Sequence, residues 1–463
     1  MARQSLAAAW CAAALAALLA LAGVDAGAAS TAPAEAAKIE SRTLANGLEI
    51  VVWPDHDIPN VAMYLWFRVG SRNEYPGITG ISHFFEHMMF NGTKTRRPGE
   101  FDRIMEGSGG RNNAYTSSDV TVYQDWFPRS ALEVVFDLEA DRMRNLDFDP
   151  KAVESERGVV YSERRSSVDN DNFGVLAEQM QATAYVAHPY QFPTLGWPSD
   201  IEGWTIEDLK TYYQRYYAPN NAVVFVVGDV TAPEVLALAE KYLAPIKRQP
   251  APEPVKTREP PQLGERRLEV ERDAQTPLIA MAWHAGSAPE RQTRIMEVLL
   301  AVLGGGDSSR LHQKLVEQEQ AALEVGVQLD QGFDPGLAWI FAVVPPGGDV
   351  ARVEALIDAE LARIARDGPT PAELAKARNQ ALAAFWRGLE TISGKAQALG
   401  TYEVFHGDFR KLFDAPGEYE SITVDEVRAA AASVLRRENR TVGTLVTPPA
   451  DTAITPAPSE AKQ

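Results

Sequence analysis

One cysteine, Cys11, serves the whole 463-residue sequence. It lies within an apolar N-terminal run, Leu6 to Gly23, which follows Arg3 and leads into the small residues around Val24-Asp25-Ala26-Gly27-Ala28. That order predicts a secretory leader over residues 1–28, and hence an exported chain, periplasmic in a Gram-negative cell. Cys11 sits inside the run rather than after it, which excludes a lipid-anchoring cysteine. The mature chain then has no thiol. It has no disulfide and no thiolate metal site, so any metal must rest on His, Asp or Glu. Basic residues are also in short supply: 45 Lys and Arg against 63 Asp and Glu give a net charge of -18. Nucleic-acid binders carry the opposite balance, so no nucleic-acid partner is expected. Beyond the leader no apolar stretch is long enough to span a bilayer, which excludes a stable membrane span in the mature chain.

What is present is ordinary globular composition, 45% hydrophobic and 23% charged, at a length that suits two to four domains. Alternation predicts strands near residues 48–52, 61–69, 119–127 and 221–227, with helices near 79–90, 128–143, 150–166, 171–187, 205–216 and 232–243. Six prolines between 245 and 261 mark a stiff, extended linker. The pattern then restarts, with strands near 266–272, 277–284, 323–330, 337–344 and 441–446 and helices near 290–303 and 307–318. A mostly helical stretch runs on to about residue 436. In each half a strand leads through Gly-Ser-x-x-Glu into a helix, at Gly70 to Glu74 and at Gly286 to Glu290. The expected organisation is a leader at 1–28, an N-terminal domain at 29–244, a linker at 245–264, a homologous C-terminal domain at 265–447 and a tail at 448–463. The expected class is α+β, a duplicated domain of about 200 residues per copy.

The chemistry concentrates at His83-Phe84-Phe85-Glu86-His87. Residues four apart share a helix face, so His83 and His87 offer two imidazoles to one ion. Glu86 is placed to hold a water on that ion and take its proton. A catalytic zinc needs a third protein ligand and keeps one position for water. Without cysteine a carboxylate is the natural choice, and Glu154, Glu156 and Glu163 sit together on a later helix. Glu156 and Glu163 are two turns apart and face the same way, but spacing does not choose among the three.

The His-x-x-Glu-His order is that of the inverzincins. With Glu156-Arg157-Gly158-Val159-Val160-Tyr161-Ser162-Glu163 some seventy-five residues later, the chain resembles peptidase family M16, the pitrilysin, insulysin and mitochondrial processing peptidase group. Asn91-Gly92-Thr93, Gly109-Gly110-Arg111-Asn112-Asn113-Ala114-Tyr115-Thr116, His188-Pro189-Tyr190, Tyr217 to Ala222, Gly228-Asp229-Val230 and Gly304 to Leu311 are similar to recurrent pieces of that family. The resemblance implies two homologous α/β-roll domains, each an antiparallel-rich sheet packed with helices. It implies one Zn2+ per chain on His83, His87 and Glu163, with Glu86 as general base and Glu156 supporting the ligands from behind. Asn113 and Ala114 would lie on a strand edge that pairs with peptide backbone. The implied activity is zinc-dependent endopeptidase action on peptides or small unfolded polypeptides in an enclosed chamber. The alternative is a non-catalytic core or peptide-binding subunit of a larger complex, as some family members are.

Two departures bear on partners. Where the second half would repeat the histidines it has Leu299, Val302 and Leu303, so one metal site per chain is expected. Where the family places a substrate-holding Arg and Tyr, this chain has Val316 and Leu323, and no tyrosine occurs between 243 and 401. A half-length chain without that pair implies a heterodimer with a second M16-like chain that carries it, with a homodimer as the rival.

Overall fold

The computed structural model describes residues 36–448, so the leader expected at 1–28 and nearly all of the tail lie outside the described residues. Eleven strands are described. They are β1 (Glu40–Thr43), β2 (Glu49–Pro54), β3 (Asn60–Phe67), β4 (Arg111–Thr116), β5 (Thr121–Pro128) and β6 (Ala222–Gly228), then β7 (Arg266–Glu271), β8 (Leu278–His284), β9 (Glu324–Leu329), β10 (Leu337–Val343) and β11 (Arg440–Val446). They form two sheets, ordered β1-β2-β6-β3-β5-β4 and β7-β11-β8-β10-β9. Apart from the added β1, the second order repeats the first strand for strand. In each sheet one pair is parallel, β2 with β6 and β7 with β11, and the rest are antiparallel. The duplication expected from the Gly-Ser-x-x-Glu echo is therefore the architecture, α+β in both halves.

Six helices matter to the site: α1 (Ile81–Met88), α2 (Leu132–Asn145), α3 (Pro150–Arg164), α4 (Asn172–Ala184), α5 (Arg291–Gly304) and α6 (Ile392–His406). The central strands β3 and β6 read as unbroken apolar runs, NVAMYLWF and AVVFVVG, and are buried almost throughout. Such runs belong to strands covered on both faces. One face of the first sheet packs on α1 and α2 of its own half. The other is covered by α6, which comes from the second half. The exchange is mutual, because α4 of the first half lays Leu176, Met180 and Ala184 on β8 and β11 of the second. Both crossings are close. A Cβ on Gly400 of α6 would stand 2.1 Å from the Trp66 indole, and one on Gly443 of β11 would stand 2.5 Å from the Met180 sulfur.

The proline-rich connection has no helix or strand between 247 and 263, as its composition requires. It is nonetheless tied down. The Glu259 carboxylate accepts the backbone amides of Val186, Ala187 and His188, and Gln262 donates to the Arg440 carbonyl at 2.7 Å. Alternation missed β1 and β4, because ESRT and RNNAYT are polar edge strands with no apolar face to advertise. The helix expected at 307–318 is a turn followed by a π-helical segment at His312–Gln318.

Candidate metal centre

Helix α1 is held at its first turn and on the side that meets the sheet. The buried Glu74 carboxylate accepts the amides of Gly80 at 2.6 Å and Ser82 at 2.8 Å, so it caps the first turn from outside the helix. Burial pushes that carboxyl up to about 8. The Tyr123 hydroxyl of β5 donates to the Phe85 carbonyl at 2.9 Å and ties the helix to the sheet. On this frame the rings of His83 and His87 stand 4.8 Å apart, centre to centre.

Helix α3 supplies the acids. Asp149 caps it through the amides of Lys151 and Ala152, with Pro150 at the first helical position. The fold separates the three candidates that spacing left together. Glu154 is 76% exposed and pairs with Arg157. Glu156 places Oε1 2.7 Å from His87 Nδ1, and Asn91 donates to its Oε2 at 2.6 Å. Glu163 turns Oε2 towards both imidazoles, 3.3 Å from His87 Nε2 and 3.7 Å from His83 Nε2.

These three residues bring ligand atoms within 4.8 Å of one another, the one such group among the described residues. Zinc bonds of about 2.0–2.1 Å in a tetrahedron put ligand atoms about 3.3–3.4 Å apart. The observed Glu163 distances bracket that edge and exceed a direct charge-assisted hydrogen bond of about 2.7–2.9 Å. The donor set, two imidazoles and one carboxylate, is that of a catalytic zinc site with a place left for water. The residues present fit the ion.

The two imidazoles differ in charge. Burial pushes His83 down to about 4, so its imidazole is neutral and able to ligate. Burial would lower His87 too, but the carboxylates of Glu156 and Glu163 beside it outweigh that and raise it to about 9, so in the absence of an ion it carries a proton that zinc would displace. The His87 imidazole beside it holds Glu163 below the usual carboxylate range, and hydrogen bonds donated by His87 and Asn91 do the same for Glu156 against its burial. Glu163 thus turns an anion towards the point where a cation would sit, while Glu156 supports His87 from the far side of its ring. Beside them Glu86 is half-buried, which raises its carboxyl, while the Thr116 hydroxyl donates to Oε2 at 2.7 Å and works the other way.

β4, the strand that carries Thr116, is the free edge of the first sheet. Ser117 donates its amide to Val120, and Thr116 stands opposite Thr121, which fixes the alternation along the hairpin. Residues 111, 113 and 115 then bond inward to β5, and the backbone groups of Asn112, Ala114 and Thr116 point outward. Ala114 therefore presents backbone at the edge next to α1. Asn113 bonds to β5 through its backbone and carries an exposed side chain on the strand face opposite that of Ala114 and Thr116.

Sequence models described as insulinase (peptidase family M16) and as the peptidase M16 inactive domain match residues 50–196 and 203–381. The chain is 34% identical over 402 residues to zinc protease PqqE of Helicobacter pylori, covering 85% of this chain and 89% of that one. The chain belongs to peptidase family M16. It is also 30% identical to a probable mitochondrial-processing peptidase subunit beta of Schizosaccharomyces pombe, over 78% of this chain and 81% of that one. The crystal structure of a protease from Helicobacter pylori superposes with a TM-score of 0.85 at 31% identity, covering 89% of this chain and 99% of the other. The periplasmic protease PqqL of Escherichia coli shares the fold at 22% identity and a TM-score of 0.74, with 90% of this chain covering 49% of PqqL.

The second M16 half agrees with the description of its matching model. Leu299, Val302 and Leu303 of α5 are fully buried in apolar core where the first half presents histidines. Val316 packs against the core and Leu323 is 55% exposed. Sequence reasoning assigned no part to Thr116, Asn91 or Glu74. Asn91 and Thr116 stood inside quoted family segments, and Glu74 closes the Gly-Ser-x-x-Glu echo, but their bonds depend on pairings that spacing does not encode.

Proposed function

We propose that this chain is a zinc-dependent endopeptidase that hydrolyses peptides or small unfolded polypeptides, with one Zn2+ on His83, His87 and Glu163. The observation that carries the reading is the convergence of those ligands beside Glu86 and an open strand edge. Bound zinc supplies Lewis acidity to a water and to the scissile carbonyl. The chain's own groups do the rest. Glu156 orients His87 through Nδ1. Glu86 takes the proton from the attacking water and passes it to the leaving amine. The strand edge at Asn113 and Ala114 pairs with the extended substrate through the outward backbone of Ala114. Metal analysis and cleavage of an unstructured peptide, with and without chelator, test the reading. Glu86→Gln keeps the metal and loses activity by orders of magnitude; a Glu86→Gln chain as active as wild type overturns the assignment.

The chamber requires a second chain. PqqL is about twice as long as the stretch this chain matches, and one relative is named as a subunit of a peptidase. Val316 and Leu323 have no side-chain hydrogen-bond donor, so this chain supplies no Arg/Tyr pair to hold a substrate. A heterodimer with an M16-like partner carrying that pair completes the site. The lone chain is expected to be weakly active and to gain activity with the partner. Full activity as a homodimer, unchanged by the partner, refutes the pairing. Export rests on the leader read at residues 1–28. No helix among the described residues is long and apolar enough to cross a membrane. The mature N-terminus should lie near Gly27 or Ala29, and a chain retaining Met1 at the membrane refutes the periplasmic location.

A further inference from the structure

Glu86 reaches the metal centre from α1, but α1 alone does not fix where its carboxylate points. A glutamate side chain has three rotatable bonds, two with several staggered wells and a third that turns broadly. Something outside the helix must select one. In this chain it is Thr116, whose hydroxyl donates to Glu86 Oε2 at 2.7 Å, with its backbone amide facing the same carboxylate. That bond anchors Oε2 and so sets where the carboxylate lies.

The anchor's location gives the contact its meaning. Thr116 is the last residue of β4, on the same outward row of backbone groups as Ala114. Two residues along a strand span roughly 6.5–7 Å. The edge therefore addresses the base at one position and offers backbone to a peptide at the next, with a fixed spacing between them.

The strand end is itself immobilised. The carbonyls of Ser117 and Ser118 accept the amides of Ser71 and Arg72. Asp119, in the same turn, accepts from Arg72 at 3.0 Å, from the Tyr190 hydroxyl at 2.7 Å and from the Phe333 amide at 3.1 Å. Tyr123, on the paired strand, holds α1 by the Phe85 carbonyl. The hairpin thus fixes the helix through its backbone and the base through its side chain. A catalytic group held by a rigid, separately supported element is what accurate placement demands.

We propose that Thr116 is a positioning residue that holds Glu86 in register with the peptide-pairing edge of β4. The proposal rests on the peptidase reading of the same site. The test compares Thr116→Val, which keeps the β-branched shape and removes the hydroxyl, with Thr116→Ser, which keeps the hydroxyl. Both are made in the full chain, in wild-type and Glu86→Gln backgrounds, and assayed with its partner if activity requires one. Thr116→Val is expected to lower kcat by about 10-fold, the lower end for lost outer-shell support, while KM and zinc content hold. Thr116→Ser restores most of the loss. In the Glu86→Gln background Thr116→Val costs nothing further, because its effect runs through Glu86. A residue that merely stabilised the strand would lower activity equally in both backgrounds.

Crystal structures of the metal-free variants give a readout that needs no activity. The Glu86 carboxylate leaves its place beside β4 in Thr116→Val and keeps it in Thr116→Ser. Unchanged kcat in Thr116→Val, equal losses in both backgrounds, or an unmoved carboxylate overturns the proposal. A wild-type chain that binds zinc and cleaves no peptide overturns the peptidase reading instead, and the crystallographic comparison still decides what Thr116 does.

Discussion

Glu156→Gln is the most informative single change at the centre, because it keeps shape and removes one acceptor. The carboxylate takes two donors at once, His87 Nδ1 at 2.7 Å and Asn91 Nδ2 at 2.6 Å. An amide has one acceptor oxygen and one NH2 group. In either orientation Gln meets one partner correctly and turns a donor towards the other donor. The loss is a hydrogen bond to a charged group, worth about 1.5–3 kcal/mol. At about 1.4 kcal/mol per factor of ten, zinc affinity falls roughly 10–100-fold. Asn91→Ala leaves the bond to His87 standing and should cost less than tenfold. The assay is competitive zinc titration against a chromophoric chelator near neutral pH, with circular-dichroism melts to establish that the variants fold. Unchanged affinity in Glu156→Gln refutes the claim that this acid orients His87. Complete loss of metal in Glu156→Gln together with full retention in Glu163→Gln means that the two acids have exchanged roles.

Three further outcomes concern stability. Arg310 grips Glu373 with two bonds of 2.7 Å and the Thr370 amide adds a third, which together hold that carboxyl at about 2. Because the folded value is depressed, the stabilisation is complete above the ordinary 4.5 and is lost as pH falls towards 2; Glu373→Gln should melt below wild type at neutral pH and converge with it in acid. Asp125 behaves oppositely, since burial first and then neighbouring Glu139 push it well above its ordinary 3.8. The unfolded chain releases that proton and the folded chain keeps it, so stability falls as pH rises; the Tm advantage of Asp125→Asn should grow from acid to alkaline pH, and a constant offset would refute it. Gly400→Ala drives a methyl against the rigid Trp66 ring and should cost about 1–3 kcal/mol by overpacking. Gly443→Ala meets the flexible end of Met180 and should cost less, a ranking that thermal melts decide.

How far the site could be read from sequence follows how local each relation is. His83 and His87 were legible because a four-residue spacing on a helix is a contact in itself. Which acid joins them was not, because Glu154, Glu156 and Glu163 share one helix and only the docking of α3 on α1 turns them to different partners. Thr116 was hidden for a different reason. Its bond to Glu86 depends on hairpin register, and a polar edge strand leaves no apolar alternation from which register can be read. The duplication was legible in strand order and in the paired Gly-Ser-x-x-Glu segments. The helix exchange was only half legible. The solid apolar runs of β3 and β6 announce strands covered on both faces, but they cannot say which helix does the covering.

That exchange changes what the inactive half is for. A half stripped of histidines and of the Arg/Tyr pair could be taken for a passive remnant. Yet its helix α6 covers the face of the first sheet opposite the metal centre, with Gly400 admitting the Trp66 ring. Its β9–β10 turn reaches further. Phe333 gives its amide to Asp119, and Asp334 pairs with Arg72 at 2.7 Å and with His188 at 3.2 Å. Asp119 belongs to the turn that ends β4, the strand whose last residue holds Glu86. A continuous set of contacts therefore runs from the second half, through that turn and Thr116, to Glu86. The candidate metal ligands belong to one half of the duplication, but the contacts that place Glu86 come from both.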